Sequence, residues 1–286
     1  LIIYFFFLSV MSQGEFNHNI ELIVSIGFFV CISGFIDDRI NLNPSSKIVL
    51  LIIPSIYLIL NGISISDLGQ YEYLGNLELG KFRIPFLLLA IGLLINATNY
   101  IDGIDGLLLT FFLSCLIYYV LLIDDTETIN LLKLFIMASF LNLILNLLPS
   151  KNKFKVFSGD SGSLFIGFFI SFITIDLYNS FNIHPVILIW PLWYPVYDFL
   201  FVSINRLKNK RSIFKPDNTH LHHVIINKFN GNKISPIILF LLANSLVILI
   251  GYKLSEFSKL LSLCIFIIGF ILFFIMRSLL FKKYKN

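Results

Sequence analysis

Five short polar segments carry most of the side chains in this chain that could do chemistry. They are FIDD at Phe35–Asp38, NATNYIDGIDGL at Asn96–Leu107, the lysine-rich stretch after Pro149, GDSGSLFIGF at Gly159–Phe168 and KPDNTHLHH at Lys215–His223. Each is wedged between long apolar runs. Ionisable side chains beside a bilayer are costly unless they bind something. Acids suited to a divalent cation, small residues suited to a phosphate and basic side chains suited to the same phosphate all recur in these segments.

Asp37 and Asp38 follow the apolar FVCISGFI directly. Adjacent residues on a helix point about 100° apart, so the two need not share a ligand. Such a pair can hold a divalent cation, act as a base or cap a following helix, and it can equally be a pair of solvated loop acids. Lys47, just before the next apolar run, reads by itself as an interfacial snorkelling lysine. Asp102 and Asp105 have the i, i+3 spacing that places them on one side of a helical turn. Asn96 and Asn99 precede them with the same spacing, and Gly103 and Gly106 permit close approach of backbone or ligand. This is either a hydrated pocket wall or an ordinary loop of two turns.

Asp160 lies between glycines and is followed by Ser161, Gly162, Ser163 and an apolar run. Small residues at a helix start expose backbone N–H groups that favour an anion. A carboxylate beside such a nest makes sense if a Mg2+ ion bridges it to a phosphate; the alternative is a plain N-cap. His220, His222 and His223 follow a basic run from Arg206 to Lys215. No cysteine and few acids accompany them, which disfavours zinc. Beside Arg and Lys they read as hydrogen-bond donors to phosphate oxygens, or the run only determines topology.

The elements that must position these groups are apolar. Of 286 residues, 57% are hydrophobic and 13% charged, with Phe occurring 31 times; a soluble domain is about a quarter charged. The excess is blocked out as in an integral membrane protein. Ten spans are expected, near 1–11, 21–36, 48–60, 84–98, 107–123, 129–148, 163–180, 185–204, 236–252 and 259–280. Several are shorter than the ~20 residues a spanning helix needs, so their ends must extend into polar flanks. The runs lack strand alternation. The fold class is therefore all-α and polytopic, one membrane domain over 1–286. The apolar N-terminus has no basic flank or small-residue cleavage site, so no cleavable signal is visible. The chain opens with Leu1 inside an apolar run, and an upstream N-terminal segment is expected.

Threading the spans up and down puts Arg39, Lys47, Lys151, Lys153, Lys155, Arg206 to Lys215 and the basic C-terminal tail on one side. Asp67, Glu72, Asp124, Asp125, Asp176 and Glu256 fall on the other. The positive-inside bias makes the first side cytoplasmic, and all five polar segments fall there. The Asn61–Arg83 connection faces out, with a short hairpin in YEYLGNLELGKFRI. His18 and His184, isolated on that side, are read as structural. Cys31, Cys115 and Cys264 are single packing residues. No GxxxxGK[ST] or GxGxxG loop occurs. The inventory suits phosphoryl transfer between a soluble phosphate ester and a lipid.

On these residues the chain resembles the polyprenyl-phosphate N-acetylhexosamine-1-phosphate transferases. The family also includes phospho-N-acetylmuramoyl-pentapeptide transferase. The resemblance runs from IDD through Lys47, NATNYIDGIDGL, Asn146 with Pro149, VFSGDSGSLFIGF and YPVYDFLFVSINRLKNKRSIFKPDNTHLHH, in the family's order. It implies that undecaprenyl phosphate attacks the sugar-bearing phosphorus of a UDP-N-acetylhexosamine and that UMP leaves. Mg2+ is the implied cofactor, with Mn2+ as a substitute. By position, Asp160 matches the metal-binding aspartate and Asn99 its helper. Asp37 and Asp38 match the acidic pair that assists the lipid phosphate. Asp102, Asp105, Asn146 and Phe157 match the nucleotide pocket, with Phe157 against uracil. Lys47, His220, His222 and His223 match positions near the phosphates. The implied setting is a bacterial plasma membrane and often a homodimer, with membrane lipids but no nucleic acid as partners. HLHH, rather than three contiguous histidines, resembles the branch that starts O-antigen, common-antigen or teichoic acid synthesis. Peptidoglycan precursor synthesis is the second reading, and an ion-coupled transporter or flippase is the alternative of a different class.

Overall fold

The computed structural model describes residues 18–40, 42–210, 221 and 234–285, with side chains for these except 44–48, 51 and 280–285. Helices α1 (His18–Ile40) and α2 (Pro44–Leu60) come first, then a hairpin of β1 (Asp67–Tyr71) and β2 (Gly75–Glu78). A 3-10 turn at Gly80–Phe82 leads into α3 (Arg83–Ile101), α4 (Leu107–Val120), α5 (Thr126–Asn146) and α6 (Gly159–Phe181). The next stretch is broken into α7 (Pro185–Leu188), a 3-10 turn at Trp190–Leu192 and α8 (Trp193–Lys208). Helices α9 (Ile234–Phe257) and α10 (Lys259–Lys285) follow.

In hydrocarbon every backbone N–H must be satisfied within its own segment, so apolar runs fold as helices. Among the described residues seven stretches are long and apolar enough to cross a membrane: α1, the stretch ending in α3, α5, α6, the α7–α8 stretch, α9 and α10. The protein is an all-α polytopic membrane protein. Helix α4 is a shorter apolar helix of 14 residues, and α2 has 17. Each expected span from 21–36 onward falls on one of these elements, and polar ends lengthen them; α1 runs on through Asp37, Asp38 and Arg39. The expected span at 1–11 lies outside the described residues. The hairpin begins earlier than the sequence pattern places it, because Gly80–Phe82 already winds toward α3 and Pro85 suits a helix's first turn.

Helix α6 is the axis of the bundle. It is apolar almost all round, and Ser163 to Ser171 are buried without interruption, as expected of a helix enclosed by others. It packs against α1 and α3. At Gly34 of α1 an added Cβ would stand 2.5 Å from the Ser161 backbone, so only glycine allows this approach. Beside it Ser161 Oγ donates to the Cys31 carbonyl at 3.1 Å. Across the other face Thr98 Oγ1 donates to the Ser163 carbonyl at 3.0 Å. These crossings bring the C-terminal ends of α1 and α3 to the N-terminal end of α6.

The opposite end is closed by the hairpin, paired antiparallel with Gln70 opposite Asn76 and Tyr71 opposite Gly75. His184 has the structural role expected of it: one ring nitrogen contacts the Gln70 carbonyl at 3.0 Å and the other accepts the Val186 N–H at the start of α7.

Candidate active site

Asp37 and Asp38, adjacent in sequence, face different partners. Asp37 is buried, accepts the Leu42 N–H at 2.9 Å on Oδ1, and lines a cavity of about 30 Å³ with Ser33, Asn96 and Asn99. It stabilises the turn into α2. Asp38 instead reaches the start of α6. Its Oδ1 accepts the Asp160 N–H at 3.0 Å and its Oδ2 the Ser161 N–H at 3.4 Å. The N–H nest expected at GDSGS is thus filled by an anion, and that anion belongs to the chain itself. The carboxylate also meets the positive end of the helix dipole.

Asp160 lies in the first turn of α6 and is oriented from α3. Asn99 Nδ2 donates to Asp160 Oδ1 at 2.8 Å and to Ser163 Oγ at 2.9 Å. The i, i+3 expectation for Asp102 and Asp105 needs correction. Helix α3 stops at Ile101 and α4 starts at Leu107, so both acids lie in the intervening turn and not on a helix. Gly106 ends this turn at the start of α4: its φ is +85°, and a Cβ there would meet Leu147 and Ile237 at 2.9 and 3.0 Å. It serves the turn and its packing, not a ligand's approach.

Burial pushes the Asp102 carboxyl up to about 7, and the Asp160, Asp105 and Asp38 carboxylates add to the rise. Asp105 has its own cation. Lys155 Nζ donates to Asp105 Oδ2 at 2.8 Å and to the carbonyls of Asn146 and Leu148 at 3.0 Å each. Lys155 was not singled out from sequence as a site residue. The signal was its place in KNKFKVF, two residues before Phe157, but flanking lysines hid it. Its ammonium also lies 5.1 Å from the centroid of the exposed Phe157 ring. Asn146, buried, donates to the Val156 carbonyl at 2.8 Å. Asn146 and Phe157 border a cavity of about 240 Å³ that continues between α4, α5 and α6 past Asn142, Ser139 and Phe135.

One end of the bundle therefore joins Asp38, Asn99 and Asp160, coupled electrostatically to Asp102 and Asp105, with Lys155 leading on to Asn146 and Phe157. Lys47 lies in the first turn of α2, but its side chain is outside those described. His220, His222 and His223 also lie outside the described residues.

Among the described residues no three His, Cys, Asp or Glu side chains stand close enough to hold a metal ion alone. Mg2+ is typically held by one or two carboxylates together with substrate phosphates and water. The donors here, Asp160, Asp102, Asn99 and Ser163, all offer the oxygen that Mg2+ prefers. The repulsion that adds to the effect of burial on Asp102 is what a divalent cation would relieve. The residues present fit such an ion.

Residues 20–178 match the model of glycosyl transferase family 4. An undecaprenyl-phosphate alpha-N-acetylglucosaminyl 1-phosphate transferase of Escherichia coli (strain K12) is 30% identical over 258 residues, covering 87% of this chain and 69% of that protein. The enzyme of the same name from Yersinia pestis is 29% identical over 250 residues, 84% of this chain and 68% of its own length. A protein of Bacillus subtilis (strain 168) described as a probable undecaprenyl-phosphate N-acetylglucosaminyl 1-phosphate transferase is 29% identical over 239 residues, 82% of this chain and 66% of its own. The chain spans about two thirds of the length of these relatives.

Proposed function

The chain belongs to glycosyl transferase family 4, and from that premise we propose that it transfers N-acetylhexosamine-1-phosphate from a UDP-sugar to undecaprenyl phosphate, releasing UMP. The observation that carries this reading is the convergence of Asp38, Asp102, Asp105 and Asp160 with Lys155 at one end of the bundle. UDP-N-acetylglucosamine is the donor that the relatives' names favour. The membrane is the bacterial plasma membrane, ten spans cross it, and the carboxylate end faces the cytoplasm, where UDP-sugars are made. The basic residues of the Lys151–Lys155 loop and of the stretch after Arg206 support that orientation.

Two anions must meet in this reaction. A phosphate monoester has its second pKa near ~6, so the lipid phosphate is mostly dianionic at neutral pH and needs no strong base. Asp37, which stabilises a turn, and Asp38, which caps α6, are accordingly positioning groups here. Asp160 would hold the Mg2+ ion, with Asn99 orienting its carboxylate and Asp102 completing the negative cradle. When bound, the ion supplies screening between the phosphates and stabilises charge developing on the departing UMP. Lys155 fixes Asp105 and the loop that carries Phe157, the shelf for the uracil ring. His220, His222 and His223 would donate to phosphate oxygens.

A transporter would place its polar groups near the middle of broken spans. The acids here stand at helix ends and in a turn, which favours the enzyme. The test is UMP release by membranes bearing the protein, given undecaprenyl phosphate, Mg2+ and a panel of UDP-sugars. Release with UDP-N-acetylglucosamine is expected. A folded protein that releases UMP from no UDP-sugar would overturn the proposal.

A further inference from the structure

Five polar side chains meet at the end of the bundle opposite the candidate active site, where α1 and α5 begin and α6 ends. Asn19, Asp125, Thr128, Asp176 and Ser180 line a cavity of about 90 Å³ whose other walls are apolar. Asp176 and Ser180 lie one turn apart on α6, and Asn19 lies in the first turn of α1. Asp125 is the N-cap of α5, where its Oδ2 accepts the Thr128 N–H at 2.8 Å.

Hydrogen bonds use only part of what these groups offer. Asp176 is 7% exposed, and its Oδ1 accepts both Asn19 Nδ2 at 2.6 Å and Ser180 Oγ at 2.8 Å. Its Oδ2 accepts from no group among the described residues. The hydroxyl of Thr128, a residue 9% exposed, also has no partner among them. Neither Asp125 nor Asp176 is paired with a lysine, arginine or histidine among the described residues. Asp125 is nonetheless near enough to act electrostatically on Asp176.

A buried carboxylate oxygen without a hydrogen bond is costly, and uncompensated acids beside a bilayer are expected to bind something. Water would satisfy the lone pairs and leave two negative charges opposed. A cation answers both needs. Oxygen donors select a hard ion, and the cavity has room for one with about two waters at ~30 Å³ each. Ca2+ takes about six to eight oxygens in a flexible geometry, whereas Mg2+ demands a near-ideal octahedron. A few protein oxygens spread over two helices, completed by water, suit the more tolerant ion. Helix α6 also presents its negative dipole end here, while Asp125 already meets the positive end of α5.

We propose that this cavity binds one divalent cation of the Ca2+ type through Asp125, Asp176 and Thr128, pinning the start of α5 to the end of α6. The ion is structural. It is separate from the ion at Asp160, which lies about 24 Å away along α6 at 1.5 Å per residue. Its effect on chemistry is indirect: α5 carries Asn146 at its other end.

The test uses the full chain in detergent, stripped with a chelator, in the Asp160→Asn background so that the other ion site is weakened. Melting temperature is followed as CaCl2 is raised to about 10 mM, a hundredfold above a Kd of about 0.1 mM. NaCl of equal ionic strength is the control for screening. A rise of about 5 °C specific to Ca2+ is expected. Adding Asp176→Asn should abolish it, and the amide oxygen still accepts from Asn19 and Ser180, so the fold is kept. Adding Asp125→Asn, which still caps α5, should also abolish it and guards against misfolding of the first variant. Thr128→Val should weaken Ca2+ binding about tenfold, the scale of one lost contact, and Thr128→Ser should restore it. Isothermal titration should count one Ca2+ fewer when Asp176→Asn is added. No Ca2+-specific rise in the Asp160→Asn protein, an equal rise with NaCl, or a rise that survives both added variants would overturn the proposal. The measurement needs no turnover, so a protein that released no UMP would defeat the transferase reading and leave this site standing.

Discussion

The two ends of the bundle both carry carboxylates, and they treat them oppositely. At the hairpin end the protein supplies the donors. Asp67 accepts from the Tyr178 hydroxyl at 2.5 Å, Ser66 Oγ at 2.7 Å and the Gly69 N–H at 2.9 Å. Burial alone would raise its pKa, but these hydrogen bonds outweigh burial and hold it below the usual range. Glu72 accepts the Leu260 and Lys259 N–H groups at the start of α10, which bring its pKa down to about 2. At the other end, burial and then three neighbouring carboxylates push Asp102 up to about 7. A carboxylate whose partners all come from the fold is structural. Where carboxylates stand against one another, as around Asp102, the repulsion between them is what a cation brought from outside would relieve.

The largest effect that separates the ends should come from Asp160→Asn. If Asp160 holds the ion, UMP release falls by about a hundredfold to a thousandfold or more, the scale of losing one main electrostatic contact in the transition state. The melting temperature of the ion-free protein should not fall, because one charge leaves a repulsive cluster. Asp67→Asn should do the reverse, lowering the melting temperature with little effect on turnover. Asp37→Asn belongs between them, since an amide oxygen can still accept the Leu42 N–H. Equal loss of turnover in Asp160→Asn and Asp67→Asn would erase the distinction.

Lys155→Met tests whether the lysine paired with Asp105 matters. It removes the partner of Asp105 and two carbonyl contacts that fix the loop before Phe157. A hydrogen-bonded charge of this kind is worth roughly 1.5–3 kcal/mol, so kcat/KM should drop about tenfold to a hundredfold. Most of that should appear as a raised KM for the UDP-sugar. A KM left unchanged would detach Lys155 from the donor pocket.

A smaller and more diagnostic effect is that of pH on Asp102. Its pKa is raised above the usual aspartate value, so between that value and about 7 the folded protein binds the proton more tightly than the unfolded chain does. In the absence of divalent ions its contribution to stability is full below that window and is lost as pH rises through about 7. Melting curves from about pH 4 to about pH 7 should show this decline, Mg2+ should offset it, and Asp102→Asn should flatten it. A decline that persists unchanged in Asp102→Asn would assign it to another group.

The apolar spans and the acids themselves were legible in sequence, because bilayer burial imposes run lengths and makes each polar interruption conspicuous. Pairwise geometry was not. The spacing of Asp102 and Asp105 suits a helix, but α3 ends at Ile101 and the left-handed Gly106 closes the turn that leads into α4. Asp38 and Asp160 are 122 residues apart, so the bond between the one carboxylate and the other's N–H depends on how α1 crosses α6. That crossing is set by Gly34, which reads in sequence as an ordinary small residue in an apolar run. Lys155 was hidden by its like-charged neighbours, since composition cannot tell a buried, three-fold bonded lysine from a solvated one.

The least effect on chemistry should come from Glu72→Gln, and for that reason it fixes the other side of the comparison. Glu72 lies in the hairpin and holds the first turn of α10 through two backbone N–H groups. Its folded pKa lies below the ordinary glutamate value, so its contribution to stability is present above that value and is lost as pH falls toward about 2. The two N–H groups use the two carboxylate oxygens, so a glutamine, with one acceptor oxygen, keeps one of these bonds, loses the other and carries no charge to oppose the positive end of the α10 dipole. The variant should melt lower than the parent at neutral pH, and the gap should close on acidification as the parent's carboxylate is protonated. Turnover per folded molecule should be unchanged. If turnover fell while the melting temperature held, the hairpin would be communicating with the carboxylate cluster at the far end of α6, and the division between a structural end and a chemical end would fail.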